Sequence, residues 1–193
     1  MYLLNPDHFD ILNLTDEEIS HIFSFFKEKH FPKGTFLLQE GESSNLIFFI
    51  RKGLVREFTF CCDENGNESS SSLNFMHEGM FALSIESYLS NSVSKSHIQA
   101  LENTHTAFIK KEDLEKLSHS LHSGALFLSV IYQSCLAEQE KKNRILKSPN
   151  SKLAYSKFIS AYPGIAERIP DKFIASYLNI HPNSLSRLRG KRN

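Results

Sequence analysis

Between Phe31 and Ile109 the chain is cut into short apolar runs, TFLLQEG, LIFFIRKG, LVREFTF, SSLNF and HTAFI, with glycines at 34, 41, 53, 66 and 79 punctuating them. Such runs are too short to bury the face of a helix, and the residues between them tolerate turns. The spacing therefore predicts a compact antiparallel β-barrel or roll. The polar stretch DENGNESSSS, residues 63–72, reads as an exposed hairpin loop. Phe36, Phe48, Phe49, Phe58 and Phe60 are expected to fill the interior as packed core.

The flanks carry a different period. Ile11, Leu14, Ile19, Ile22, Phe23 and Phe26 recur at helical spacing across residues 6–30, and Thr15 with Glu18 forms a capping-box pattern. After Lys110, Leu114, Leu117, Leu121, Gly124, Leu128, Ile131 and Cys135 alternate by three and four. That is the pattern of a two-helix seam, in which Gly124 would let backbones approach closely. The same stripe could instead pack on the chain's own roll. Pro149 and its polar neighbours mark a hinge, followed by a short helix over 152–162 and a turn-rich connection. The fold class is α+β: an antiparallel β-roll domain over residues 1–110, a long helix over 111–147 and a helical domain over 148–193.

Charge divides the chain in the same place. The 22 basic and 22 acidic residues cancel overall, yet residues 141–193 hold 12 of the bases and 2 of the acids. A basic module on an acidic body suits a polyanion partner, although charge alone equally fits a solvated basic surface.

The basic segment has a pattern of its own. In IPDKFIASYLNIHPNSLSRLRGKRN, Ala175 is the small residue needed where two helices cross, and Asn179, four positions on, suits a left-handed turn. Pro182 suits the first position of a second helix, and Ile174, Leu178, Ile180, Leu185 and Leu188 form an apolar set. Together these slots predict a helix-turn-helix. The second helix would expose polar residues of the kind that enter a major groove. Asn183, Ser186 and Arg187 are assigned to base edges, and His181, Ser184, Arg189, Lys191 and Arg192 to phosphates.

With these residues in place the chain resembles the Crp/Fnr family of bacterial transcription regulators. The resemblance rests on FPKGTFLLQEGESSNLIFFIRKGLVREF, on IKKEDLEKL and on the ending IASYLNIHPNSLSRLRG, and it spans nearly the whole chain. It implies a cyclic-nucleotide-binding-like roll, a dimerisation helix and a homodimer that reads an inverted-repeat operator in double-stranded DNA, with RNA polymerase as a further partner. Members that bind cyclic AMP carry a Gly-Glu pair and an Arg-Ser or Arg-Ala pair. The corresponding positions are taken as Gly79-Met80 and Ser94-Lys95. Methionine cannot accept the ribose hydrogen bond and lysine lacks the planar fork of arginine, so cyclic AMP is not expected as the ligand, while another small-molecule effector stays open.

Three cysteines, two of them adjacent, make neither a disulfide framework nor a metal spacing, and no cofactor is expected. No glycine-rich phosphate loop, HExxH or GxSxG occurs, so an enzyme is not expected. With no spanning segment and no secretory leader, a cytoplasmic location without membrane contact is expected. The remaining alternative to an operator reader is a ligand-binding or protein-interaction module whose tail binds nucleic acid without reading it.

Overall fold

A computed structural model of the chain describes residues 14–62 and 68–190. Its elements in chain order are α1 (Asp16–Ser24), β1 (Lys27–Phe31), β2 (Phe36–Leu38), β3 (Leu46–Lys52), β4 (Leu54–Cys62), β5 (Glu68–His77), β6 (Phe81–Ala82), α2 (Ile85–Ser90), β7 (His97–Ala100) and β8 (Thr104–Lys110). They continue with α3 (Lys111–Ser120), α4 (His122–Leu146), α5 (Ser151–Ala161), α6 (Asp171–Tyr177) and α7 (Pro182–Gly190). The strands form two four-stranded sheets, ordered β1-β8-β3-β6 and β2-β7-β4-β5. The pairings of β8 with β1, of β3 with β8 and β6, and of β2 with β7 are antiparallel. These two sheets make the roll.

Strand β3 explains how one sheet serves two cores. Ile47, Phe48, Phe49 and Ile50 are all buried, the continuous apolar run of a strand covered on both faces. Alternation sends Ile47 and Phe49 to one side and Phe48 and Ile50 to the other. Phe48 and Ile50 join Phe31, Leu38, Val55, Met76, Ile98 and Ala100 in one cluster. Ile47 and Phe49 join Ile109, Phe81 and Leu83 with Ile19 and Ile22 of α1, Leu114 and Leu117 of α3, and Phe127 and Ile131 of α4. Edge-to-face contacts of Phe127 with Phe26 and Phe81, at 5.9 and 6.1 Å between centroids, fix the helices in this second cluster.

Several sequence expectations shift. The Thr15–Glu18 capping box forms and opens helix α1, which ends at Ser24 and not near residue 30, and Lys27–Phe31 is an edge strand. Residues 6–13 lie outside the described residues. Ser69–Ser72, read as loop, belong to β5. Phe36 and Phe60 are 36% and 57% exposed rather than core, whereas Phe48, Phe49 and Phe58 are buried. The helical stripe after Lys110 is broken at Leu121, whose backbone is extended (φ −136°, ψ 136°), so it lies on two helices.

That stripe is turned inward. Leu114, Leu117 and Ile131 are buried in the roll's own second cluster, with Leu128 and Cys135 packed against it, and Leu121 is left 39% exposed. Gly124 allows a close approach, but to Leu117 of the same chain: a Cβ there would sit far inside van der Waals contact of the Leu117 carbonyl. The seam residues thus hold α3 and α4 on the roll.

The chain divides into two compact units, one of residues up to Arg56 with Phe75–Cys135, the other of Glu57–Asn74 with Leu136 onward. The division falls within α4, whose first half has its apolar face in the roll core. In the second unit, Asn150 caps α5 by accepting from the Leu153 N–H at 2.9 Å. Phe158 packs against Tyr162 and Tyr177 at 5.1 and 5.3 Å, and Ala154, Ile165, Ile169, Ile174, Leu178 and Leu185 are buried in the same unit.

Gly124→Ala is expected to destabilise the protein by about 1–3 kcal/mol through overpacking against Leu117, measured as a fall in the urea midpoint at constant slope.

Candidate functional site

The C-terminal pair α6 and α7 presents the polar surface that the sequence singles out. Helix α6 closes with the Leu178 N–H donating to the Ile174 carbonyl at 2.9 Å. Asn179 then turns the chain at φ 53°, a left-handed conformation that asparagine tolerates better than other side chains except glycine. The Ile180 N–H donates back to the Ala175 carbonyl at 3.0 Å, which seals the turn. Ala175 is 1% exposed, so a larger residue would have no room. Pro182 opens α7, and Leu185 anchors it, fully buried.

The outward residues of α7 differ in what they are free to do. Asn183, Ser186 and Arg187 are exposed, as is His181 just before the helix, while Ser184 is half-buried. The His181 Nδ1 accepts the Asn183 N–H at 3.1 Å, so the imidazole caps the first turn of α7. Arg187 has no ion-pair partner among the described residues. Arg189, expected on phosphate, is half-buried and engaged within the unit: it pairs with Asp171 at 2.6 Å and donates to the Ala166 carbonyl at 3.0 Å. It ties the end of α7 to the start of α6. Lys191 and Arg192 lie outside the described residues.

Two further contacts that the sequence did not signal hold α6 in place. From β5, the Ser72 N–H donates to Ser176 Oγ at 2.8 Å, the Ser72 hydroxyl to the Phe173 carbonyl at 3.0 Å, and the Ser176 hydroxyl to the Ser70 carbonyl at 2.9 Å. From α4, Glu138 accepts the Tyr162 hydroxyl at 3.1 Å and pairs with Lys141, and Lys142 lies over the Tyr177 ring at 5.9 Å. Burial lowers the Lys142 pKa, with Glu57 acting in the opposite sense. A run of serines and isolated lysines gives no periodic pattern, so only the fold reveals these partners.

The roll contains a cavity of about 440 Å³ lined by Leu37, Leu38, Leu46, Phe48, Leu83 and Ile98 with Glu42, Ser43, Ser44 and Asn45. None of the four expected effector residues lines it. Gly79 and Met80 form the turn into β6, with the Gly79 N–H on the Ile50 carbonyl and Met80 packed against the inter-sheet cluster. Ser94 is 1% exposed and its hydroxyl donates to the Ser96 carbonyl at 2.8 Å. The exposed Lys95 pairs with Glu86. Beside the cavity, buried serines satisfy one another: the Ser84 N–H donates to Ser44 Oγ, the Ser44 N–H to Ser87 Oγ, and the Ser87 hydroxyl to the Ser92 carbonyl. Among the described residues, no group of three or more His, Cys, Asp or Glu is placed to hold a metal ion. No helix among them is long and apolar enough to cross a membrane.

Comparison with known proteins agrees with this geometry. The cyclic nucleotide-binding domain family matches residues 28–120. Similar solved structures include FixK2 from Bradyrhizobium japonicum, with 16% identity and a TM-score of 0.68 over 86% of this chain and 83% of that one. The c-di-GMP responsive global regulator CLP of Xanthomonas campestris follows, with 13% identity and a TM-score of 0.66 over 92% and 91%. A protein from Eubacterium rectale described as a transcriptional regulator of the crp/fnr family shows 16% identity and a TM-score of 0.66 over 94% and 85%. No curated protein matches the chain. The chain thus carries a cyclic-nucleotide-binding-like roll followed by helices resembling those of Crp/Fnr regulators.

Burial, more than the nearby Glu138 charge, pushes the Tyr177 pKa up to about 12, and burial raises that of Tyr162 as well. An unfolded tyrosine ionises near pH 10, so stability held by these phenols is complete below about pH 10 and lost as the pH climbs toward 12. Tyr177→Phe is expected to flatten this alkaline loss, measured by urea unfolding at stepped pH.

Proposed function

We propose that the protein is a sequence-specific DNA-binding transcriptional regulator of the Crp/Fnr type, acting as a homodimer through a helix-turn-helix formed by α6 and α7. The observation that carries this reading is the exposed set His181, Asn183, Ser186 and Arg187, running from the residue before α7 to its last turn, within a segment rich in bases and nearly free of acids. Arg187, without an ion-pair partner among the described residues, is suited to a bidentate contact with guanine, and Asn183 to adenine. Lys191 and Arg192 follow as phosphate contacts. The resemblance to FixK2, CLP and the Eubacterium rectale protein supports the same class.

With the seam stripe buried in the roll, the dimer contact falls to the opposite face of α4. There Ala125, Ser129, Gln133, Leu136 and Glu140 form an exposed or half-exposed row at helical spacing, and Leu136 is 65% exposed. Pairing along this row would present two α7 helices about one DNA turn, roughly 34 Å, apart, and the operator would be an inverted repeat. RNA polymerase is then a partner at the promoter. Cyclic AMP is not the expected input, since Met80 stands where a ribose-binding carboxylate would be needed and Lys95 is paired with Glu86.

Selection of bound sequences from a random duplex pool at physiological salt tests the reading. An enriched inverted repeat is expected; retention that only falls with salt would instead favour a module that binds nucleic acid without reading it. Arg187→Ala is expected to cost about 1–3 kcal/mol at one operator position and relax selectivity there. Arg189→Ala is expected to lower the unfolding midpoint and weaken all sequences alike. Leu136→Glu is expected to yield monomers on sedimentation with the circular dichroism spectrum unchanged.

A further inference from the structure

The roll cavity has a chemistry of its own. Its inner wall is aliphatic and aromatic: Leu38, Phe48, Leu83 and Ile98 are buried, and Leu37 and Leu46 are half-buried. Its polar groups lie on one side, in the consecutive residues Glu42, Ser43, Ser44 and Asn45 between β2 and β3. Ser44 is already bonded within the serine network, accepting from the Ser84 N–H. One oxygen of the Glu42 carboxylate accepts the Gln39 N–H at 2.8 Å, which holds that side chain on its turn. The exposed groups of this rim are therefore a carboxylate, a hydroxyl and an amide.

A volume of about 440 Å³ lies within the range of small-molecule sites, and an apolar wall with a few polar groups at one end is their usual composition. The rim sets the sign of what enters. Among the described lining residues the one acid or base is Glu42, and Lys95 is an exposed side chain paired with Glu86 outside the lining. An anionic head would meet the exposed Glu42 carboxylate with no cation among the described lining residues to offset the repulsion. A hydroxyl head would donate to that carboxylate or to the Asn45 carbonyl oxygen while its chain fills the wall.

We propose that this cavity is a binding site for an uncharged, largely aliphatic molecule bearing a hydroxyl group, and that Glu42 is the residue that excludes anions, cyclic nucleotides among them. The site lies wholly in the roll unit, so it stands independently of the DNA-binding reading.

The test uses the full chain and the neutral fluorophore N-phenylnaphthylamine, whose emission rises in apolar surroundings. Saturable binding at one site per chain is expected, displaced by decanol at least about tenfold more readily than by decanoate, a difference of about 1.4 kcal/mol. Glu42→Gln keeps an oxygen for the Gln39 N–H and should narrow that preference to about twofold or less, as the Coulomb repulsion requires. Leu46→Trp, at a half-buried lining position, should abolish probe binding, and Phe60→Ser, at an exposed apolar position outside the lining, should leave it intact. Absence of saturable binding would overturn the proposal, and so would displacement by decanoate or cyclic AMP as readily as by decanol. A preference that survives Glu42→Gln unchanged would overturn the role given to Glu42.

Discussion

Everything else in the molecule depends on β3 being covered on both faces. A strand of consecutive buried residues supplies Phe48 and Ile50 to the space between the sheets and Ile47 and Phe49 to the layer beneath α1, α3 and α4. Because β3 is paired by β8 along most of its length and by β6 at Phe48 and Phe49, its middle has protein partners on both edges, and its apolar surface can face protein in both directions. The helices follow from this: the outward-facing Ile47 and Phe49, with Ile109, Phe81 and Leu83, form the apolar surface that Leu114, Leu117, Phe127 and Ile131 meet.

The packing of those helices has a cost for the rest of α4. One face of the helix is committed to the roll as far as Ile131, with Cys135 packed at its edge, and beyond that point the side chains belong to another unit, where Glu138, Lys141 and Lys142 engage Tyr162 and Tyr177. A single helix therefore carries two unlike sets of contacts, apolar in its first half and polar in its second. The change comes within one or two turns, around the exposed Leu136.

The roll was legible from its glycines, and Gly34, Gly41, Gly53 and Gly79 do adopt positive φ. So was the α6–α7 turn, because Ala175, Asn179 and Pro182 each answer a local steric demand. The losses have equally local causes. Lys27–Phe31 has four exposed residues and carries no alternation, so an edge strand passed as helix. The serines of β5 lack the side chains that mark strands, and their role is to bond a helix distant in sequence. A helical stripe of period three and four looks the same whether it meets a second chain or its own roll, and here Leu114, Leu117 and Ile131 pack with Ile47 and Phe49 of the roll. Arg187 and Arg189 are two residues apart in a basic segment, and nothing in that order tells the exposed guanidinium from the one bound to Asp171.

The bonds between β5 and α6 bear on more than the helix. Strand β5 is the last of its sheet, and an unpaired edge offers its backbone groups to any passing strand. Here the Ser72 N–H is already taken by Ser176 Oγ and the Ser70 carbonyl by the same hydroxyl. One serine side chain on a helix thus blunts the open end of a sheet, and a variant lacking it would leave a template for strand addition, so that such a protein would fail first by self-association during expression or storage.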